Sequence, residues 1–125
     1  MKLSYDGDLM TAAITVTFRG KSTLIGNMII DTGSSHTIIS PDVLEAVGVT
    51  YENGDAIYEA YGIGGTAPFF MKTMDKIDIG LYIIKNVRVD IGLLPENHPG
   101  LIGLDILKKH QFIIDFQQAE LYQTH

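Results

Sequence analysis

Asp31 is the residue of this chain whose surroundings best suit it for chemistry. It ends the apolar run Met28-Ile29-Ile30 and is followed at once by Thr32, Gly33, Ser34 and Ser35. The run is too short for a helix and reads as a buried strand. A strand that stops at such a triplet holds one ionisable group at the mouth of a hydrophobic core. That is a costly place for a charge unless something is gained from it. A carboxylate there could give or take a proton in general acid–base catalysis. Asp-Thr-Gly can also be an ordinary strand-ending turn, because Asp and Gly are favoured in turns.

The other candidates are weaker. Tyr61-Gly62-Ile63-Gly64-Gly65 could be mistaken for a phosphate loop. No helical pattern follows it, Pro68-Phe69-Phe70 argues against one, and no Gly-Lys-Ser/Thr is present, so a nucleotide site is not expected. His36, His98, His110 and His125 lack metal-ligand spacing, and neither a metal nor another cofactor is expected. Asp6-Gly7-Asp8 is too short for a calcium loop. Asp105 reads as a structural residue that orients the last helix.

The elements that must position Asp31 read mainly as strands. Ile14, Val16 and Phe18 alternate with threonines over residues 9–18, the period of a half-buried strand. Arg19-Gly20-Lys21-Ser22 is a hairpin turn. Residues 23–30 return as a more uniformly apolar strand, expected to be buried on both faces. Thr37-Ile38-Ile39 is a further short strand. Residues 40–48 carry helix signals: Ser40 to cap, Pro41 at the first position, Asp42 at the positive end and Gly48 to stop. Residues 56–74 form aromatic arms around a glycine-rich tip, with Pro68 placing one arm at an edge. Ile77, Ile79, Val87, Val89 and Ile91 continue the strand pattern. A loop at 95–100, a helix from about Leu104 to His110, a strand at 112–116 and a turn at 117–120 complete the chain.

A weak internal repeat relates Thr17–Gly33 to Ile77–Gly92, each a strand, a glycine turn and a strand ending in Asp-x-Gly. Isoleucine replaces the threonine hydroxyl in the second copy. Asp90 is therefore expected to be a solvated strand-end residue, not a second acid.

With 125 residues, 46% of them apolar, the chain is expected to form one globular domain over residues 1–125. A net charge of −6 suggests neither a nucleic-acid surface nor a polybasic membrane patch. No apolar run could span a bilayer, no signal peptide opens the chain, and cysteine is absent, so a cytoplasmic protein is expected.

Taken in order, Ile30-Asp31-Thr32-Gly33-Ser34-Ser35, Tyr61-Gly62-Ile63-Gly64-Gly65 and Leu101-Ile102-Gly103-Leu104-Asp105-Ile106-Leu107 resemble the motifs of retroviral-type aspartic proteases (retropepsins). The likeness extends over residues 10–122. It is strongest to the cellular branch that includes the protease-like domain of DNA-damage-inducible proteins, where the last motif also leads into a basic stretch and His-Gln, here Lys108-Lys109-His110-Gln111. The resemblance implies an all-β, closed acid-protease barrel with one or two short helices and a flap hairpin. It implies a homodimer that cleaves peptides, with Asp31 of each subunit forming the catalytic pair. Thr32, Gly33 and Ser34 would support that loop, and Thr32 would bond across the dimer. Tyr61, Gly62, Ile63, Gly64 and Gly65 would form the flap. Ser35, His36, Leu94 and Pro95 would border a substrate pocket, with Ile38 and Leu93 beside them, although His36 reads equally well as a plain surface histidine. A silent peptide-binding or scaffolding dimer of the same fold is the alternative. Retroviral enzymes pair an arginine at the place of Leu104 with an aspartate at the place of Ser35. Both are missing here, and the termini are not expected to form the interleaved sheet of viral dimers.

Overall fold

The chain is described by a computed structural model covering residues 1–62 and 65–124, with side chains left undescribed over residues 60–67. Its strands are β1 (Ser4–Asp6), β2 (Leu9–Phe18), β3 (Lys21–Ile30), β4 (Ile38–Ile39), β5 (Ile57–Gly62), β6 (Gly65–Ile79), β7 (Tyr82–Ile91), β8 (Gly100–Ile102), β9 (Ile113–Asp115) and β10 (Glu120–Tyr122). One short α-helix, α1, spans Leu104–Leu107, and a 3₁₀ helix spans Pro41–Val47.

Eight strands form one sheet in the order β1-β2-β3-β8-β4-β7-β6-β5. A further pairing of β2 with β6, through Val16 opposite Ile77, closes six of them into a barrel. Closure leaves those six without a free edge. The interior is filled by Ile14, Val16, Met28, Ile39, Met74, Ile77, Val89, Ile91 and Ile102, each at most 1% exposed. The alternation of β2 predicts its share of this list.

The hairpin turn after β2 is where the sequence places it. Arg19 and Gly20 both have positive φ, as a two-residue primed turn requires, and their N–H groups donate to the Asp75 carboxylate at 3.1 and 2.9 Å. β3 departs from expectation. It is not buried on both faces: Leu24 is 70% exposed, and only Ile25 and Met28 are fully buried. Those two residues stand three apart because a bulge breaks the pairing, with Ala12 opposite Met28 but Ile14 opposite Ile25. Asn27, at φ 57°, absorbs the extra residue. The bulge resets which face each later side chain of β3 occupies.

The strand end is pinned between chains that are distant in sequence. β8 runs parallel to β3 through Ile29 opposite Leu101 and Ile30 opposite Ile102, and antiparallel to β4 on its other side. β4 in turn runs parallel to β7, with Ile38 opposite Asp90. The 3₁₀ helix is capped as its sequence suggests: the Ser40 hydroxyl accepts from the Asp42 N–H at 3.2 Å, and Gly48 ends it at φ 75°. α1 is shorter than the predicted 104–110. Turn hydrogen bonds carry on to Phe112, whose N–H reaches back to the Leu107 carbonyl, and Gln111 at φ 57° ends the helical path. The 95–100 loop contains a 3₁₀ turn at Pro95–Asn97. Pro68 lies opposite Glu59, on the part of β6 that runs beyond the β7 pairing. There the missing N–H costs no second ladder bond.

Candidate active site

The loop after β3 is tied down from three directions. The Asp31 N–H donates to the Ile102 carbonyl at 3.0 Å, extending the β3–β8 ladder by one bond. Leu104 N–H, at the start of α1, donates to the Ser34 carbonyl at 2.8 Å. Inside the loop, Ser34 N–H donates to the Asp31 carbonyl at 3.3 Å, and the Ser34 hydroxyl donates to the His36 carbonyl at 2.7 Å. Where retroviral enzymes use an ion pair between the positions of Ser35 and Leu104, this chain joins the two segments through the backbone.

The Asp31 side chain sits half-buried at the end of the barrel, with Thr32 and Gly33 exposed beside it. It is therefore less enclosed within a single chain than the sequence suggests. The Gly33 N–H donates to its Oδ1 at 2.9 Å, and Oδ2 has no hydrogen-bond partner among the described residues. A Cβ on Gly33 would lie 3.2 Å from that same Oδ1. Glycine thus suits both the bond and the open approach to the carboxylate.

Gly103 fits tightly behind the loop. A Cβ there would fall 2.6 Å from the His36 carbonyl oxygen and 2.8 Å from that of Ser34. Both are backbone atoms that cannot swing away. The close approach of β8 and α1 to the loop depends on this absence of a side chain.

Thr37 is the residue that sequence reasoning missed. It is fully buried. Its N–H donates to Asp105 Oδ2 at 2.9 Å, its hydroxyl donates to Asp105 Oδ1 at 2.7 Å, and that hydroxyl also accepts the Gly103 N–H at 3.1 Å. Asp105 thus has the orienting role expected of it, and Thr37 is its partner. A threonine at the start of a strand gives no local sign of a partner 68 residues away.

Asp90 requires a correction. It is not a solvated strand end but 4% exposed. Its N–H donates to the Thr37 carbonyl at 3.0 Å, and its carboxylate accepts the Tyr58 hydroxyl. Tyr58 comes from β5, and its ring stacks on Phe69. Burial, and then the bond to Asp90, push the Tyr58 phenol well above its ordinary pKa. His36 Nδ1 lies 3.9 Å from Asp90 Oδ2, with the imidazole largely exposed. His36 is thus an exposed histidine that stands beside a buried carboxylate.

The remaining predicted residues are more scattered. Ser35 is exposed on the loop. Leu94 and Pro95 lie in the connection from β7 to β8, joined to the Asp31 loop by no hydrogen bond among the described residues. Gly62 and Gly65 face each other where β5 and β6 meet. Ile63 and Gly64 lie outside the described residues, as does the side chain of Tyr61. Among the described residues no His, Asp or Glu cluster could hold a metal ion, and no helix is long and apolar enough to cross a membrane.

A closed β-barrel with Asp-Thr-Gly at the end of one strand, clasped by Gly-Leu-Asp at the start of α1, defines an acid-protease fold. A family model for aspartyl proteases matches residues 14–106, and the chain belongs to that family. Among the 244 solved chains that match is a retropepsin-like aspartic protease from Rickettsia conorii. It aligns with a TM-score of 0.62 and 19% identity over 84% of each chain, a likeness of fold. No match is found among curated proteins.

Proposed function

We propose that the chain is an aspartic endopeptidase that works as a homodimer, with Asp31 of each subunit facing its counterpart across a two-fold axis. The observation that carries this is the half-buried carboxylate at the end of β3, held by Gly33 N–H on one oxygen, in a chain with one Asp-Thr-Gly. Peptide hydrolysis without a covalent intermediate needs one group to take a proton from water and another to give one to the carbonyl oxygen. Two carboxylates at hydrogen-bond distance do both, because they share a single proton and titrate as a pair, the known behaviour of aspartic proteases in general. One chain supplies half of that pair. An isologous dimer completes it, and such dimers are the commonest symmetric assembly.

In this reading Thr32, exposed next to Asp31, bonds across the axis, and Gly33 and Ser34 hold the loop. Gly62 to Gly65 close over the peptide, with Ser35 and His36 bordering the cleft and Leu94 and Pro95 further along it.

The test is cleavage of a peptide library from acid to neutral pH, with and without a statine-type inhibitor. Parent protein is expected to cleave and to be inhibited. Asp31→Asn is expected to lose activity while sedimenting as the same dimer. Cleavage by Asp31→Asn at the parental rate would refute the assignment, as would an obligate monomer at high concentration. Peptide binding by an inhibitor-insensitive, non-cleaving dimer would favour the silent scaffold instead.

A further inference from the structure

A cavity of about 420 Å³ opens beside the active-site loop, between β7 and α1. Its near end is formed by His36, Asp90 and Asp105. These residues adjoin the loop directly, since Asp105 grips Thr37 and Asp90 N–H bonds the Thr37 carbonyl. The lining also includes Lys85 and Arg88 on β7 and Lys109, one turn after Asp105. Lys85 stands five residues before Asp90, roughly 16 Å along an extended strand.

The charge of this groove runs against that of the chain. The whole chain carries −6, yet three of its nine Lys and Arg residues line this one cavity. All three are exposed, and none forms an ion pair with a described residue. The two carboxylates in the lining are already engaged. Asp105 accepts two bonds from Thr37, and Asp90 accepts the Tyr58 hydroxyl and faces His36. Three cations against those two carboxylates leave the lining with one positive charge in excess, in a chain that carries −6 overall. The floor between the charges is apolar, through buried Ile84, Val87 and Ile106. A groove beside the active-site loop, with an apolar floor and three exposed cations that pair with no carboxylate among the described residues, suits a polypeptide segment rich in carboxylates.

We propose that this groove is an exosite for an acidic segment of the substrate chain, lying outside the residues gripped at the cleaved bond. The proposal rests on the peptidase reading for the identity of the ligand as substrate. The groove's affinity for acidic peptide is measurable without any cleavage. Lys85, Arg88 and Lys109 supply the attraction, and His36 marks where the segment enters from the cleft.

Binding is tested on the full-length Asp31→Asn protein, by fluorescence anisotropy with a labelled oligoglutamate peptide and an oligoglutamine control. Oligoglutamate is expected to bind more tightly, with affinity falling as salt is raised. The triple variant Lys85→Glu/Arg88→Glu/Lys109→Glu is expected to weaken it by roughly tenfold or more. The reversed charges are on exposed side chains, and an unchanged unfolding midpoint would confirm that the variant folds. Lys21→Glu, on an exposed position outside the groove, serves as control and is expected to leave binding as it was. Equal binding of the two peptides, or of the parent and the triple variant, would overturn the proposal. So would binding of an oligonucleotide in place of oligoglutamate. In the cleaving parent, an acidic flank is expected to lower KM with kcat unchanged, and the triple variant to erase that difference. Loss of cleavage in every arm would count against the peptidase reading while leaving the binding result intact.

Discussion

Thr37 and Asp105 are joined by two hydrogen bonds, N–H to Oδ2 at 2.9 Å and hydroxyl to Oδ1 at 2.7 Å, across 68 residues of sequence. The pair fixes the first turn of α1 against β4. Because the Thr37 hydroxyl also accepts the Gly103 N–H at 3.1 Å, β8 is held by the same side chain. Every segment that touches the Asp31 loop thus meets at one buried threonine. The junction adds to the two long-range backbone bonds that hold the loop, Asp31 N–H to Ile102 and Leu104 N–H to Ser34.

Thr37→Val keeps the shape of the side chain and removes its bonds. The buried Gly103 N–H then lacks an acceptor and Asp105 loses one donor. We expect a loss of about 1–3 kcal/mol in unfolding free energy, measured by urea denaturation. Thr37→Ser, which keeps the hydroxyl, should recover most of it. Peptidase activity, if limited by loop placement, should fall in the valine variant and return in the serine variant. A valine variant as stable as the parent would show that the junction contributes nothing.

Gly103→Ala tests the close approach behind the loop. Backbone φ at Gly103 is −100°, so alanine meets no dihedral penalty there. The new methyl would instead press on the carbonyl oxygens of His36 and Ser34, at 2.6 and 2.8 Å. Only a shift of the loop or of α1 can relieve that overlap. We expect a cost of about 1–3 kcal/mol, as for overpacking in general, together with a drop in kcat larger than any change in KM. Gly26→Ala, with open space around it, is the control and should change neither.

Most of the architecture could be read from local pattern. The alternation at Ile14, Val16 and Phe18, the Arg19-Gly20 turn and the Ser40-to-Gly48 capping signals are short-range, and each appears where expected. The readings that failed depended on partners far away in sequence. Asp90 reads as solvated because nothing beside it in sequence shows that Tyr58 will cover it. β3 reads as buried on both faces because its run is apolar, yet Leu24 faces outward, and the bulge at Asn27 leaves little trace in such a run. The Asp31 triplet was legible as a motif, but its tethers at Ile102 and Leu104 were visible only once β8 was placed beside β3.

Tyr58→Phe removes the hydroxyl that Asp90 accepts. A buried carboxylate then keeps His36, 3.9 Å away, and its lost bond is not replaced. The expected cost is about 1–3 kcal/mol by denaturant unfolding. The cost should be smaller in an Asp90→Leu background, where no acceptor is left unpaired. That non-additivity, read from a double-mutant cycle, separates the hydrogen bond from simple loss of packing. Additive effects would mean the two residues do not interact.

Lys72, together with Arg19, favours the ionised carboxylates of Glu52 and Asp55. Its ammonium is buried, donating to Glu52 at 2.6 Å and lying 2.8 Å from Asp55, while Arg19 donates to Glu52 at 2.7 Å. Burial works against the Lys72 charge, but the bonds to Asp55 and Glu52 outweigh it and hold its pKa above the ordinary value. Glu52 is lowered to about 2, first by its bond from Arg19 and then by Lys72. Asp55 is lowered by Lys72 and by the Glu52 N–H. A carboxylate whose folded pKa is depressed stabilises the fold above its unfolded value, and that contribution disappears as pH falls through the folded one. For Glu52 the window runs from the ordinary 4.5 down to about 2. Lys72, with its pKa raised, adds stability that is full below the ordinary 10.5 and is lost only above it. In Lys72→Met the unfolding midpoint should therefore drop at neutral pH and vary less steeply between pH 4.5 and 2 than in the parent. Lys21→Met, at an exposed position, should preserve the parental slope. Parallel curves for Lys72→Met and the parent across that window would exclude Lys72 as a source of acid stability.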